Sequence, residues 1–292
     1  MLNHIKFVLI LVMATGIVAG IDHPTYAKKK TANQAQDLKS INPQGVLYWK
    51  YKTGDDINSS PRIYDNSIYI GSQDGIFYSL TLDGLLNWKF NTGSVINGST
   101  PDFYKHKVYF GAENGKIYCL DVNTGNALWE FKTDGPVYSS PVVYKSNVYI
   151  GSGDKKLYSI DSSKGTMNWN YITQGPISSS PVISGNIVYI GSYDGKLYAL
   201  NLENGNLNWS FQTNDAIVAK PKVVKDLILI GSLDKTFYAI DSQNGNKKWQ
   251  KELNGIITAS PVIDEFIYIG DGKGYAYALN KKDGSIVWKY KT

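Results

Sequence analysis

Cysteine, histidine and arginine are nearly absent from this chain. Its 292 residues include one cysteine and three histidines. A single cysteine excludes an internal disulfide and cannot supply the thiolates of a zinc site. His4 and His23 lie in the N-terminal segment, so only His106 could serve as a base or ligand elsewhere. A serine or cysteine nucleophile of the usual kind would therefore lack a base partner, which argues against catalysis.

The shortage of arginine also bears on the partner. Arg62 is the only arginine among 30 basic residues, and the net charge is +5. Arginine is the usual bidentate reader of guanine and carboxylate, whereas lysine acts as a point charge. We therefore predict no nucleic-acid partner. Calcium loops and glycine-rich phosphate loops are missing too, and the single carboxylate in each repeated turn is typical of hairpins.

The N-terminus has the organisation of an export signal. Residues 1–6 give a basic start, Phe7–Gly20 is an uncharged apolar run, and Thr25–Ala27 resembles a cleavage site. We predict a signal peptide at 1–27, a mature N-terminus at Lys28 and an exported protein without a transmembrane span in the mature chain. Cleavage after Gly20 and an uncleaved anchor are the alternatives. Residues 28–44 are polar and lysine-rich, which predicts a disordered leader.

Tryptophan and proline recur with a period near 40 residues. The tryptophans are Trp49, Trp88, Trp129, Trp169, Trp209, Trp249 and Trp288. Prolines at 61, 101, 141, 181, 221 and 261 keep the same phase. A period of this length indicates one supersecondary unit copied in tandem.

One copy, residues 175–211, divides into four strand-length apolar runs. They are Ile177–Ile183, Ile187–Gly191, Lys196–Leu200 and Leu207–Phe211. Asp-Gly and Asn-Gly turns between such runs predict hairpins, because glycine reaches the positive φ that tight turns need. Four antiparallel strands per repeat predict an all-β fold, a β-propeller of four-stranded blades over residues 45–292.

The number of blades follows from the complete repeats, with one strand left over. Six copies contain all four strands, which predicts six blades. A seventh outer strand, Leu47–Lys52, precedes them, while Ile286–Lys291 already ends the last copy. We expect a six-bladed ring with an extra outer strand at its N-terminal end. An interrupted larger propeller, or pairing of the spare strand with a neighbouring chain, remains open.

A recurring motif narrows the class of propeller. A small residue, any residue and Asp or Asn precede a glycine turn and tryptophan, most fully in Cys119–Trp129. No aspartate follows the tryptophans as in WD blades, and no Gly-Gly pair recurs as in kelch blades. The motif resembles the tryptophan-docking motif of the pyrroloquinoline quinone (PQQ)-like repeat family. The resemblance implies that all seven tryptophans pack between adjacent blades.

Two branches of that family frame the expected function. Quinoprotein dehydrogenases hold PQQ beside a bonded pair of adjacent cysteines, with Ca²⁺ and an aspartate base. Here the only cysteine, Cys119, occupies a slot where other copies have serine or alanine. BamB-type lipoproteins scaffold outer-membrane protein assembly and carry a lipidated cysteine after the signal, which this chain lacks. We expect a relative of these groups without the quinone site and without a cofactor.

These observations favour an exported, non-enzymatic scaffold that binds a protein or a cell-wall partner. The alternatives are a PQQ-dependent oxidoreductase-like protein and a propeller that binds cell-wall glycans. The oligomeric state is left open. In either alternative the fold would be the same, so the function must be sought where the repeats differ.

The repeats differ most in the residues around each repeat proline. In five copies the residue before the proline carries a hydroxyl, but the sixth has Lys220. Tyr138 is the other departure, three residues before its proline, and Arg62 and Lys222 directly follow theirs. We predict a basic, tyrosine-edged binding face made by Tyr138, Lys220, Arg62 and Lys222. The simpler alternative is that Lys220 only reaches solvent and Tyr138 fills a gap.

Overall fold

A computed structural model describes residues 47–292, and within them every regular element is a β-strand. The strands form six four-stranded antiparallel sheets, and each sheet is a meander of four consecutive strands. The predicted all-β fold with six four-stranded blades is therefore confirmed. The predicted signal peptide and leader, residues 1–44, lie outside the described residues.

Each blade repeats a short first strand and three longer ones. Blades 1 and 2 contain β1 Arg62–Tyr64, β2 Ser67–Gly71, β3 Ile76–Thr81, β4 Leu86–Asn91, β5 Asp102–Tyr104, β6 Lys107–Gly111, β7 Lys116–Asp121 and β8 Ala127–Lys132. Blades 3 and 4 contain β9 Val142–Tyr144, β10 Asn147–Gly151, β11 Lys156–Asp161, β12 Met167–Ile172, β13 Val182–Ser184, β14 Ile187–Gly191, β15 Lys196–Asn201 and β16 Leu207–Gln212. Blades 5 and 6 contain β17 Lys222–Val224, β18 Leu227–Gly231, β19 Thr236–Asp241, β20 Lys247–Glu252, β21 Val262–Ile263, β22 Ile267–Gly270, β23 Tyr275–Leu279 and β24 Ile286–Lys291.

The first strand of a blade is shorter than the sequence predicts. The apolar run Ile177–Ile183 is not one strand, because only Val182–Ser184 pairs with β14. Pro181 has no N–H to donate to a ladder. Ile177 is fully buried against Gly151, where a Cβ would lie 2.1 Å from its Cγ2. The run is therefore a connection between blades, and its Ile177 side chain packs against the preceding blade.

The hydrophobic core lies between neighbouring blades. In blade 3 the two middle strands are buried on both faces, whereas the outer strand alternates between exposed and half-buried residues. One core cluster joins Tyr109 and Ile117 of blade 2 to Val148 and Ile160 of blade 3. Since each core needs two blades, a blade depends on its neighbours for burial.

A two-donor joint links successive blades. The Trp129 indole N–H donates to the Ser162 carbonyl oxygen at 3.1 Å, and the Tyr109 hydroxyl donates to the same oxygen at 3.0 Å. The arrangement recurs with Tyr69 and Trp88 on Val122, Tyr149 and Trp169 on Leu202, and Tyr189 and Trp209 on Ser242. Trp249 donates alone to Lys281, because blade 5 has Leu229 at the tyrosine position.

A left-handed glycine completes each joint. Gly165 has φ +70°, and a Cβ on it would lie 2.7 Å from the Trp129 ring. Gly84, Gly125, Gly205, Gly245 and Gly284 contact Trp49, Trp88, Trp169, Trp209 and Trp249 in the same way. The glycine is required twice, for its backbone conformation and for the space that the indole fills.

The N-terminal segment uses the same joint without forming a strand. No ladder pairing includes Leu47–Lys52 within residues 47–292. The Trp49 indole nevertheless donates to the Leu82 carbonyl at 2.8 Å and lies over Gly84. The spare segment therefore contacts blade 1 as the outer strand of a preceding blade would.

The connections between blades and the hairpins between second and third strands lie together on what we call the upper face. The Gly153 N–H in such a hairpin donates to the Pro136 carbonyl in a connection, and Tyr193 donates likewise to Pro176. The lower face carries the remaining hairpins, where the Ser162 N–H donates to the Ser146 carbonyl. The tryptophan joints use the lower-face hairpins, whereas the upper face carries the connections in which the repeats differ around their prolines.

We predict that Gly165→Ala destabilises the protein much more than Gly185→Ala. Both residues have positive φ, and alanine in this region costs about 1–2 kcal/mol. Nothing lies within 4 Å of the Cβ position at Gly185, whereas at Gly165 the Trp129 ring would be overpacked. Overpacking adds about 1–3 kcal/mol to the cost at Gly165. Urea unfolding measures both, and equal losses would contradict this role of the glycine.

Candidate functional site

Two residues that precede repeat prolines donate hydrogen bonds to the next blade. The Thr100 N–H donates to the Ser140 hydroxyl oxygen at 2.9 Å, and the Ser140 N–H donates to the Ser180 hydroxyl oxygen at 2.9 Å. These residues are 40 positions apart, so each bond joins equivalent points of adjacent blades. The hydroxyl groups of Ser140 and Ser180 thus belong to the scaffold, whereas within residues 47–292 no such bond joins Ser60 to Thr100.

Lys220 interrupts this series. By the register of the preceding bonds, the Ser180 N–H would donate to the side chain at position 220, and a lysine ammonium cannot accept. No hydrogen bond joins Ser180 N to residue 220 in the described part of the chain, and the Ser179 hydroxyl donates instead to the Ala219 carbonyl at 2.9 Å. Lys220 therefore stands at the position where Ser140 and Ser180 accept a hydrogen bond from the preceding blade, but it cannot accept one.

Four charged side chains meet near this slot. Lys220 lies close enough to Asp102, Arg62 and Lys222 for their charges to act on it. It reaches water, yet surrounding protein desolvates it and lowers its pKa; Asp102 opposes this shift, while Arg62 and Lys222 add to it. Three cations and one carboxylate, from blades 1, 2 and 5, thus share a small region that we call the charged mouth.

The carboxylate of the charged mouth is already engaged. Asp102 accepts a hydrogen bond from the Val143 N–H at 2.8 Å, and its other oxygen is 3.5 Å from the Arg62 guanidinium. Burial raises the pKa of Asp102, and the Val143 N–H and Arg62 act in the opposite direction. With Asp102 paired to Arg62, the ammonium groups of Lys220 and Lys222 form no ion pair within residues 47–292.

Tyr138 lies on the same face but has different neighbours. It is half-buried, and the charged and aromatic groups that act on it are Glu113 and Tyr193, which belong to hairpins of blades 2 and 4. Burial raises its pKa, and Glu113 adds to this shift. The structure thus brings Arg62, Lys220 and Lys222 together, whereas nothing in it links Tyr138 to them directly.

The repeated carboxylates of the upper-face hairpins are taken up by the scaffold. Asp194 accepts the Tyr198 hydroxyl at 2.7 Å and the N–H groups of Lys196 at 2.9 Å and Gln174 at 2.8 Å. Desolvation, followed by this bond, raises the pKa of Tyr198. Within residues 47–292 no group of three metal-ligating side chains is close enough to hold a metal ion.

The single cysteine has the environment of a packing residue. Cys119 is fully buried in the core between blades 2 and 3. Burial raises the pKa of its thiol to about 12, so the thiol stays protonated at neutral pH. A protonated, inaccessible thiol is neither a nucleophile nor a metal ligand.

A second basic site was missed by the sequence analysis. A groove of about 540 Å³ between blades 5 and 6 is lined by Lys235, Lys273, Lys291, Glu252 and Tyr275, among others. The Lys291 ammonium is 5.6 Å from the centre of the Tyr275 ring. Lys235, Lys273 and Lys291 occupy different repeat positions, so the comparison of equivalent positions could not bring these three lysines together. The clustering of lysines near the end of the sequence was the only available signal.

No helix in the described part of the chain is long and apolar enough to cross a membrane.

We predict that Lys220→Ser stabilises the protein by about 0.5–1.5 kcal/mol, the usual value of one hydrogen bond. Serine at this position supplies the acceptor that the Ser180 N–H lacks and removes a desolvated cation. Lys222→Ser is the matched control, because it removes a charge from the same mouth without completing a blade-to-blade bond. Thermal or urea unfolding measures both. A loss of stability in Lys220→Ser would show that the lysine supports the scaffold.

Comparisons with known proteins agree with this architecture. A family model described as outer membrane protein assembly factor BamB matches residues 31–130 and 98–290. BamB from Moraxella catarrhalis superposes with a TM-score of 0.75 at 23% identity, covering 85% of this chain and 80% of that one. The computationally designed Ika8 protein gives 0.75 at 18% identity, covering 84% and 78%. At these identities the two structures show the fold alone.

One curated relative is an enzyme, but the match is partial. The β-alanine-activating enzyme of Danio rerio is 30% identical over a stretch that covers 31% of this chain and 10% of the relative. The chain thus spans about a tenth of that protein. The family model, by contrast, covers all six blades. The chain belongs to the PQQ-like repeat propellers of the family described as outer membrane protein assembly factor BamB.

Proposed function

We propose that this protein is an exported, non-enzymatic propeller that acts as a protein-interaction scaffold in the cell envelope. The family description and the propeller fold support the scaffold role. The observation that carries the proposal is the charged mouth, where Lys220 replaces a hydroxyl of the blade-to-blade series. A scaffold tolerates a residue that weakens it where that residue serves binding.

The chemistry of the mouth suits an acidic, extended segment of a protein partner. Asp102 is occupied by Arg62 and the Val143 N–H, so Lys220 and Lys222 are available to a ligand carboxylate. Lys220 is partly desolvated, and a charge-assisted hydrogen bond strengthens when water is excluded. Binding of a carboxylate would also relieve the repulsion between the neighbouring cations.

Two kinds of side chain that an enzyme could use, the thiol and the hairpin carboxylates, are engaged in the fold, which supports a scaffold role. The thiol of Cys119 is buried and protonated, and Asp194 and its counterparts are bonded to tyrosines and backbone N–H groups. A PQQ-dependent oxidoreductase is the rival function. Stoichiometric binding of PQQ with Ca²⁺, together with dye reduction driven by alcohol or aldose, would overturn the proposal.

We predict that the double variant Tyr138→Ala, Lys220→Ser weakens binding of a labelled hexaglutamate peptide by about tenfold, since one charged hydrogen bond is worth about 1.5–3 kcal/mol. Fluorescence anisotropy measures the affinity, and the melting temperature should not fall. Lys145→Ser, in an exposed lower-face hairpin, is the matched control and should bind normally. Asp102→Asn keeps the acceptor for the Val143 N–H and should strengthen binding. Unchanged affinity in the double variant would show that neither side chain takes part in binding.

The natural partner can be identified by crosslinking and mass spectrometry in the native cell. Under the proposal, crosslinks concentrate on upper-face lysines such as Lys220 and Lys222 rather than on lower-face ones such as Lys145. Retention on isolated cell wall without a protein partner would favour glycan binding instead.

We predict that the mature protein begins at Lys28 and is found outside the cytoplasm. The apolar run Phe7–Gly20 with its basic start supports this expectation, as does a family described by an outer-membrane assembly factor. N-terminal sequencing of protein from fractionated cells makes the measurement. Intact Met1 on protein from the cytosol would be the contrary result.

A further inference from the structure

The groove between blades 5 and 6 is lined by lysines that the propeller itself does not require. Its volume is about 540 Å³, and Lys235, Lys273 and Lys291 line it together with Glu252 and Tyr275. All three lysines are exposed. Small-molecule sites usually have volumes of about 300–1,000 Å³, so the groove is large enough to hold a ligand. Lys235 and Lys273 each depart from the repeat pattern in a way that blade packing does not explain.

Lys235 has a strained backbone conformation. Its φ is +70°, in the left-handed region, which a residue with a Cβ adopts unfavourably and glycine adopts freely. Four of the other five upper-face hairpins have glycine at this position, namely Gly75, Gly115, Gly195 and Gly274. Only Lys155 in blade 3 shares the strain, with φ +71°. Glycine would suit the hairpin better, and a strained residue in a groove points to a role in binding.

Lys273 stands where the other upper-face hairpins have a carboxylate or an amide. The N–H groups of Ser232 in blade 5 and Asp271 in blade 6 each donate to the carbonyl four residues further on, so these two residues are equivalent. Lys273 is then the equivalent of Asp234. The residues at this position in the other hairpins are Asp74, Asn114, Asp154 and Asp194. Blade 6 therefore has a cation in place of an acceptor side chain.

Asp271 makes the hydrogen bonds that Asp234 makes in blade 5. It accepts the Tyr277 hydroxyl at 2.7 Å, the Gly255 N–H at 2.9 Å and the Tyr275 N–H at 3.0 Å. Asp234 likewise accepts a tyrosine hydroxyl, an N–H of the preceding connection and the N–H that begins the third strand. The carboxylate has thus moved two residues earlier in blade 6. The hairpin keeps its contacts, and position 273 can carry a lysine.

The lysines of this groove form no ion pair among residues 47–292. At the equivalent place between blades 2 and 3, the Lys156 ammonium lies 3.3 Å from the Asp134 carboxylate. Tyr275 stands where blade 3 has Lys156, and Asn254 stands where the connection has Asp134, so that ion pair has no counterpart here. The ammonium groups of the groove can therefore bind a ligand without first breaking a salt bridge.

The charge of the groove suits a phosphate group. Its three lysines and Glu252 carry two net positive charges. The Lys291 and Lys289 ammonium groups lie 5.6 Å and 4.9 Å from the centre of the Tyr275 ring, which keeps both at the blade 6 side. A phosphomonoester carries about −1.5 to −2 charges at pH 7, and lysine is a common phosphate ligand. A carboxylate carries half that charge and would leave the lining positive.

We propose that the groove between blades 5 and 6 binds a phosphomonoester through Lys235, Lys273 and Lys291. The phosphate group can be free or part of a lipid headgroup, since the lysines would contact the same oxygens in both. The strained Lys235 and the displaced carboxylate of Asp271 carry the proposal, because each departs from the repeat at this groove. The site shares no residue with the charged mouth and is therefore independent of the proposed function.

Calorimetric titration of the full chain with inorganic phosphate, at neutral pH and low salt, tests the proposal. We expect saturable binding at a single site. Lys235→Gly should weaken this binding by about tenfold, which corresponds to the loss of one charged hydrogen bond. Lys155→Gly is the matched control, because it relieves the same backbone strain in blade 3. It should change the melting temperature as Lys235→Gly does and leave phosphate binding unchanged.

A second variant tests the cation at position 273. Lys273→Asp introduces the residue of the blade 5 hairpin and replaces an attractive charge by a repulsive one, so it should abolish measurable phosphate binding. Its binding of hexaglutamate should stay normal, and the variant Tyr138→Ala, Lys220→Ser should bind phosphate normally. These two results separate a failure at the groove from a failure at the charged mouth.

Vesicles that contain phosphatidic acid distinguish the two sources of the phosphate. Retention on these vesicles that is lost in Lys273→Asp would assign the site to a lipid headgroup, and binding of inorganic phosphate without retention would assign it to a free ligand. The proposal is overturned if the unaltered chain shows no saturable binding of phosphate. Equal weakening in Lys235→Gly and Lys155→Gly would also overturn it, because that result would reflect net charge alone.

Discussion

One backbone carbonyl per blade holds this propeller together. In four of the joints it accepts both a tyrosine hydroxyl and an indole N–H from the preceding blade, as the Ser162 carbonyl does from Tyr109 and Trp129. Both donors are thereby satisfied at the edge of an apolar core, where an unpaired donor would cost about 1–3 kcal/mol. The neighbouring Gly165 must be left-handed and without a side chain so that the indole can lie over it. Packing, hydrogen bonding and backbone conformation therefore all depend on a single short hairpin.

Because these hairpins lie on the lower face, the two faces of the propeller are under different constraints. A substitution in a lower-face hairpin such as Ser162–Gly165 disturbs two blades at once. The upper-face connections are held by different contacts, which include the Ser140 N–H bond to Ser180, the Gln174 N–H bond to Asp194 and the burial of Ile177. A connection can lose its hydroxyl, as it does at Lys220, while the tryptophan joints stay intact. A binding function on the upper face is compatible with this division.

The sequence was sufficient to predict the architecture because the joints recur with one period. The four-stranded blades and their number followed from the tryptophans, the prolines and the Asn-Gly and Asp-Gly turns. The first strand was predicted too long because Ile177, which lies in the connection and packs against the preceding blade, is as apolar as a strand residue. The contact of Arg62 with Asp102 could not be foreseen, since it depends on how two blades are oriented about the axis. Tyr138 was grouped with Lys220 by position alone, and in the structure the two side chains have different charged neighbours.

The two main departures from periodicity have opposite meanings. Lys220 occupies a position where the scaffold calls for a hydroxyl, and the cost is visible in the unfilled blade-to-blade bond and in a pKa lowered by desolvation. A residue that the scaffold does not need is best explained by a ligand, which is why the proposed function rests on it. Trp288 and Tyr268 conform fully to the scaffold pattern and lack only a receiver. The same comparison of repeats thus separates Lys220, which departs from the scaffold pattern, from Tyr268 and Trp288, which follow it.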